Sequence, residues 1–239
     1  MNRFFLVHSI QCLAIVLLAV CFIAPYWLHA GDVDDGFDSQ RWEKDIQAFE
    51  AKEQESLPEE GGVVFVGSSS IRKWDLDKFF PDQDFINRGF GGSHMEDSVY
   101  YADRIVLPYK PRTVVVYAGD NDINDGKTPQ RVLNDFKKFV RIVHENLPRT
   151  NILYIAIKPC VKRWDKVDKV REANRLISEY AKKDKHVDFV DIDAPMMGED
   201  CKPRRSLFEE DELHLNDEGY RLWTSLLKPF LQEKPLADE

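Results

Sequence analysis

Apolar and polar positions change rhythm several times along this chain. Five short runs, at 63–66, 85–86, 113–117, 152–157 and 187–192, are largely apolar and mostly rich in β-branched residues. Between them the period lengthens. Segment 41–55 carries Trp42, Ile46 and Phe49 on one face behind a capping Ser39, and 129–147, 167–182 and 218–231 show the same amphipathic spacing. Strands that are apolar on both faces and alternate with helices predict a five-stranded parallel sheet covered on both sides. The fold class expected is α/β, three-layered and doubly wound, of the flavodoxin-like kind. In such sheets the working site lies beyond the carboxyl ends of the strands.

The first thirty residues follow another pattern. Arg3 precedes an unbroken apolar run, CLAIVLLAVCFIA, at 12–24; Pro25 and then Leu28-His29-Ala30 follow. Residues 1–30 read as a signal peptide cleaved after Ala30 or, uncleaved, as an N-terminal membrane anchor. Val20 before Cys21 argues against a lipoprotein. Residues 31–60 then form an acidic linker and an N-terminal helix, and 61–233 the main domain. The protein is expected to be exported, periplasmic or extracellular, and membrane-bound only through an uncleaved segment.

Composition narrows the function. The 239 residues carry a net charge of -9, which excludes the concentrated basic surface that nucleic acid requires. Cys12 and Cys21 lie in the leader, leaving Cys160 and Cys201. These are too few for a zinc site, but in an oxidising compartment they make a candidate disulfide, tying the loop before Asp211 to the sheet. No cofactor is called for.

The ends of the predicted strands carry the candidate chemistry: Gly67-Ser68-Ser69-Ser70 after the first, Asn87 through Gly92 after the second, Gly119-Asp120-Asn121-Asp122 after the third, and Asp211 with His214 beyond the fifth. Singly, each has a plain reading. Serines cap helices, glycines permit turns, and an Asx turn explains GDND. A calcium loop from Asp120 fails, with Asp125 at its sixth position and Arg131 at its twelfth. His144 and His186 have no partner pattern. His214 has Asp211 three residues before it.

In this order the four blocks resemble the SGNH hydrolases, the GDSL esterase/lipase family. "IKPCVKRW" (157–164), "EANRLI" (172–177) and "LHLNDEGYRLW" (213–223) extend the likeness to the family's esterase-type branch. The resemblance implies that Ser69 is the nucleophile, with Ser68 standing where the family has Asp. It implies an oxyanion hole from the N–H groups of Ser69 and Gly92 and the Asn121 amide. His214 is then the base and Asp211 its orienting acid. A serine needs such a base to attack, and a carboxylate to fix the base's tautomer.

The implied function is hydrolysis of a small-molecule or carbohydrate ester, with an O-acetylated carbohydrate favoured over lipid by export and an acidic surface. Two rivals differ in kind. An α/β-hydrolase would need G-x-S-x-G, and Ile71 stands where its second glycine belongs. A non-catalytic flavodoxin-like module would use Ser68–Ser70 as a nest for a flavin, phosphate or glycan, leaving Asn121, Asp211 and His214 unexplained. His94 and Met95 either line an acyl pocket or begin a helix. Arg163 and Trp164 either contact substrate or pack on the domain.

Overall fold

The computed structural model describes residues 38–55 and 58–231. The N-terminal apolar segment, and with it the expected leader or anchor, lies outside them. No helix among the described residues is long and apolar enough to cross a membrane.

Five strands form one all-parallel sheet: β1 (Val63–Gly67), β2 (Ile86–Gly89), β3 (Thr113–Tyr117), β4 (Asn151–Ile155) and β5 (Val187–Val190). Their order is β2-β1-β3-β4-β5. The chain therefore winds one way from β1 to β2 and the other way from β3 onward, and the switch point lies between β1 and β3. Ten α-helices lie among the described residues: α1 (Glu43–Glu55), α2 (Ser69–Arg72), α3 (Leu76–Phe79), α4 (Met95–Tyr100), α5 (Ala102–Ile105), α6 (Asp120–Asn124), α7 (Pro129–Asn146), α8 (Val167–Ala181), α9 (Asp193–Met196) and α10 (Asp217–Leu231).

The period of two along each strand sorts the core into two layers. Val64, Val66, Val114, Val116, Ile152 and Tyr154 face one cluster with Ile46 of α1, Phe136 of α7 and Ile177 of α8. Val63, Phe65, Val115, Tyr117, Leu153 and Ile155 face the other, with Ile71, Trp74, Tyr220 and Trp223. Full burial of one such side chain contributes about 1.5–3 kcal/mol. Every residue of β1 and β3 is buried, as expected of inner strands with helices on both faces.

Helix α1 belongs to this packed unit, which begins at Asp38. Arg104 fastens it by donating to Glu43 and Glu50 at 2.7–3.0 Å, and Glu53 pairs with Arg88 and Tyr109. Just before it, Trp42 donates its indole N–H to Asp97 (3.2 Å) and meets Phe90 edge-on.

The cysteines depart from expectation. Cys160 and Cys201 are both free thiols. Cys160 faces the second core cluster, where burial pushes its thiol above the ordinary value. Cys201 is exposed in a tight turn, at φ 57° and closed by the Gly198 N–H donating to the Lys202 carbonyl (2.7 Å). One sulfur faces inward and the other solvent, so no bridge forms.

Candidate active site

The first strand ends in a forced turn. Gly67 sits at φ 141°, and a Cβ there would lie 1.9 Å from the Tyr117 carbonyl oxygen; only glycine allows β3 so close. The chain then enters α2 with Ser68 as its N-cap, so Ser69 is the first helical residue. Its N–H is one of the amides a helix start leaves without an internal acceptor.

His214 reaches Ser69 from the far end of the chain. The Ser69 hydroxyl donates to His214 Nε2 at 3.0 Å, and His214 Nδ1 meets Asp211 Oδ2 at 2.5 Å. A carboxylate can only accept, so Nδ1 carries the proton and Nε2 is left as the acceptor. Asp211 Oδ1 also receives the backbone N–H groups of Leu213 (3.0 Å) and His214 (2.9 Å). Partial burial raises the Asp211 carboxyl, but the hydrogen bonds from His214 and Leu213 outweigh it and hold it well below the usual carboxylate range. The loop is itself a small hairpin: Phe208 pairs with Leu215, and the Glu209 N–H donates to the His214 carbonyl (2.8 Å). On its outer side Lys73 pairs with Glu209 at 2.6 Å.

Gly92 and Asn121 are tied together through Ser93, and Asp120, next to Asn121, accepts from the Ser68 hydroxyl. Gly92 takes φ 79°, in the left-handed region, and a Cβ there would press to 3.4 Å from the Trp42 ring. Asn121 Nδ2 donates to the carbonyl of Ser93 (3.0 Å), the residue after Gly92, while its Oδ1 accepts from Arg163 (3.0 Å). With the amide gripped at both ends, its second Nδ2 hydrogen has no acceptor among the described residues. The N–H groups of Ser69 and Gly92 likewise have none there. These are the three donors expected of an oxyanion hole.

Beneath the serine lies a charged cluster that sequence reasoning missed. Lys158, just past β4 and 2% exposed, donates to Ser70 Oγ (3.1 Å), Tyr117 OH (2.9 Å) and Asp120 Oδ2 (3.2 Å). Asp120 Oδ1 accepts the Asn121 N–H (3.0 Å) and, at a long 3.4 Å, the Ser68 hydroxyl. Burial raises the Asp120 carboxyl, but Lys158 and Arg163 overcome it and keep it below its ordinary value. The available signal was a lysine directly after an apolar strand of a doubly covered sheet, a place where a charge must find a partner.

The residues with two readings now separate. His94 and Met95 are buried at the start of α4. The His94 N–H donates to Asp97 (2.8 Å) and the Met95 N–H to Asp122, so they begin a helix. His94 Nε2 lies 2.8 Å from Asp125, and burial together with Lys127 lowers its imidazole pKa. Burial pushes the Asp122 carboxyl up to about 7, against the pull of Lys127. Arg163 packs on Asp120 and Asn121. The Trp164 ring is partly covered by Lys202 and Arg171, at 4.7 and 5.7 Å from its centroid.

A depression of about 440 Å³ lined by Phe80, Phe85, Arg112 and Lys228 does not bear on this chemistry. Arg112 immediately precedes β3, so the depression is at the opposite end of the sheet from Ser69, and no serine or histidine lines it.

Residues 67–222 match the model of the family described as GDSL-like Lipase/Acylhydrolase. No curated protein matches the chain in sequence. Among solved structures, a GDSL-like lipase from Bacteroides thetaiotaomicron superposes with a TM-score of 0.67 at 22% identity, covering 82% of this chain and 97% of its own. A lipase/acylhydrolase from Enterococcus faecalis gives 0.62 at 20% identity, over 74% and 100%. An acetyl-xylooligosaccharide esterase from Geobacillus gives 0.58 at 12% identity, over 76% and 99%. At these identities the likeness establishes the shared fold.

Proposed function

The chain belongs to the GDSL-like lipase/acylhydrolase family, and from that premise we propose that it is a serine esterase acting through an acyl-enzyme on Ser69. The observation that carries this reading is the unbroken relay Ser69–His214–Asp211, at 3.0 and 2.5 Å. In the first step Ser69 Oγ attacks the ester carbonyl carbon and its proton passes to His214 Nε2. The carbonyl π bond becomes an oxyanion, received by the Ser69 and Gly92 N–H groups and the Asn121 amide. Collapse of this intermediate breaks the bond to the alcohol oxygen, which leaves with the proton from His214. A water then repeats the sequence: His214 takes its proton, its oxygen attacks the acyl carbon, and the carboxylic acid departs as Ser69 regains its hydrogen. Asp211 keeps the ring in the productive tautomer and stabilises the imidazolium.

The substrate we propose is an O-acetylated carbohydrate met outside the cytoplasm. The leader-like 12–24 segment and the net charge of -9 support this. The anion-nest alternative is less favoured, because the Ser68 hydroxyl donates inward to Asp120 and the Ser70 oxygen accepts from Lys158, and because it gives Asp211 and His214 no role. The test is a panel of p-nitrophenyl esters of increasing chain length beside acetylated polysaccharides, with mass-spectrometric mapping of an organophosphonate adduct. Acetate release and an adduct on Ser69 are expected; an adduct elsewhere overturns the nucleophile, and release only from long-chain esters overturns the substrate class. Export predicts a mature N-terminus after Ala30 or an intact chain recovered with membranes; an intact soluble chain in the cytoplasm would contradict it.

A further inference from the structure

Resting on the reading of Ser69 as nucleophile, we propose that Lys158 is a positioning residue. Through Asp120 it sets the serine turn and the asparagine of the oxyanion hole as one rigid piece. All three protons of its ammonium are committed, to Ser70 Oγ, Tyr117 OH and Asp120 Oδ2. Asp120, 6% exposed, gathers the backbone N–H of Asn121, the Ser68 hydroxyl and the Arg163 guanidinium. The two serines that bracket the nucleophile are thus held by opposite ends of one ion pair. Ser68 touches the anion and Ser70 the cation. The same anion anchors the backbone of Asn121, and Arg163 completes the piece by holding both Asp120 and the Asn121 side-chain oxygen.

Stability alone does not explain such a cluster. A well-packed apolar pair of similar volume generally serves a fold as well as a buried ion pair or better. A directional network, by contrast, fixes the angle between a nucleophile and its oxyanion donors, where a shift of about 1 Å costs up to about 10²-fold in rate. The family's block places Asp before the nucleophile, where this chain has Ser68. Here the carboxylate beneath the turn arrives instead from α6, and Lys158 is the group that locks it there.

The test is Lys158→Met, alone and combined with Asn121→Ala, in steady-state kinetics with p-nitrophenyl acetate. Lys158→Met is expected to lower kcat by about 10–10²-fold with KM within about twofold. In the Asn121→Ala background the same change is expected to cost clearly less than in the parent, because one of the groups it positions is already gone. Unchanged kcat, a loss confined to KM, or fully multiplicative effects would overturn the proposal. Should Lys158→Met fail to fold, the uncharged pair Asp120→Asn/Lys158→Met, which leaves no orphaned charge between them, carries the same expectations. Failure of the nucleophile assignment is distinguishable, since Ser69→Ala would then retain turnover.

Discussion

The two halves of this active site are built to opposite specifications. Ser69 and Asn121 stand on a buried floor of Lys158, Asp120 and Tyr117, whose side chains are nearly inaccessible to water. His214 and Asp211 ride a hairpin whose acid side chain is 45% exposed, and whose outer fastening, Lys73 to Glu209, is a half-exposed ion pair of the kind worth about 0–1 kcal/mol. The floor is held by groups that cannot move without stranding a charge. The hairpin is held by local backbone bonds and screened charges. On the proposed mechanism, the contrast gives precision to the part that would meet the developing oxyanion and tolerance to the part that would shuttle a proton, since a hydrogen bond survives small displacements better than an attack angle does.

Removing the nucleophile should have the largest effect. Ser69→Ala is expected to abolish covalent turnover, a loss on the order of 10⁶ in kcat, while Ser68→Ala and Ser70→Ala retain chemical competence. Hydrolysis by the Ser69 variant at near the parent rate would end the comparison. Next comes the hairpin. Asp211→Asn should cost up to about 10⁴-fold in kcat by mis-setting the His214 tautomer. Glu209, whose carboxylate lies within 4.8 Å of the same pair, is the group able to soften that loss. A larger deficit in Asp211→Asn/Glu209→Gln than in Asp211→Asn alone would sharpen the picture of a tolerant half. Near-normal rates in the double variant would show that another acid serves the base.

On the floor, Asn121→Ala should lower kcat by about 10²–10³-fold with KM little changed. A rise in KM alone would reassign it to substrate binding. The smallest effect is on stability. Burial raises Asp122 to about 7 in the folded state, whereas an unfolded aspartate titrates near 4. Both states are protonated below that value; from there up to about 7 the unfolded chain ionises first, so stability falls as pH rises. Asp122→Asn should therefore gain stability relative to the parent between pH 4 and pH 8, read as the shift in urea midpoint. A relative loss at pH 8 would mean that the Asp122–Lys127 pair, at 3.5 Å, dominates over burial.

Much of the fold was legible because a doubly covered parallel sheet writes itself as apolar runs. The strand expected at 113–117 is β3 to the residue, and the helix expected at 129–147 is α7 with one residue fewer. The blocks at the strand ends were legible through their order just past successive strands, although each alone has a plain structural reading. What remained hidden depended on contacts across the chain. Nothing local to Lys158 names Asp120, thirty-eight positions away. The helix assigned with the linker packs into the core through Ile46, and Trp42 just before it donates to Asp97 of α4. The cysteine pairing failed because spacing carries no information about which way a sulfur faces.

The distance along the chain between the site's parts has a consequence in time. The Ser69–His214 bond spans 145 positions, and the Tyr220 hydroxyl reaches back 150 to the Ser70 carbonyl. If Ser69 is the nucleophile as proposed, its chemistry cannot begin when it emerges from the ribosome, nor when the first four strands have paired. It waits for α10 to dock and bring the hairpin home. Contacts this distant in sequence carry a large loop-closure entropy, which slows folding. On the proposed assignment, a nascent chain carries Ser69 without its base until the His214 hairpin has docked.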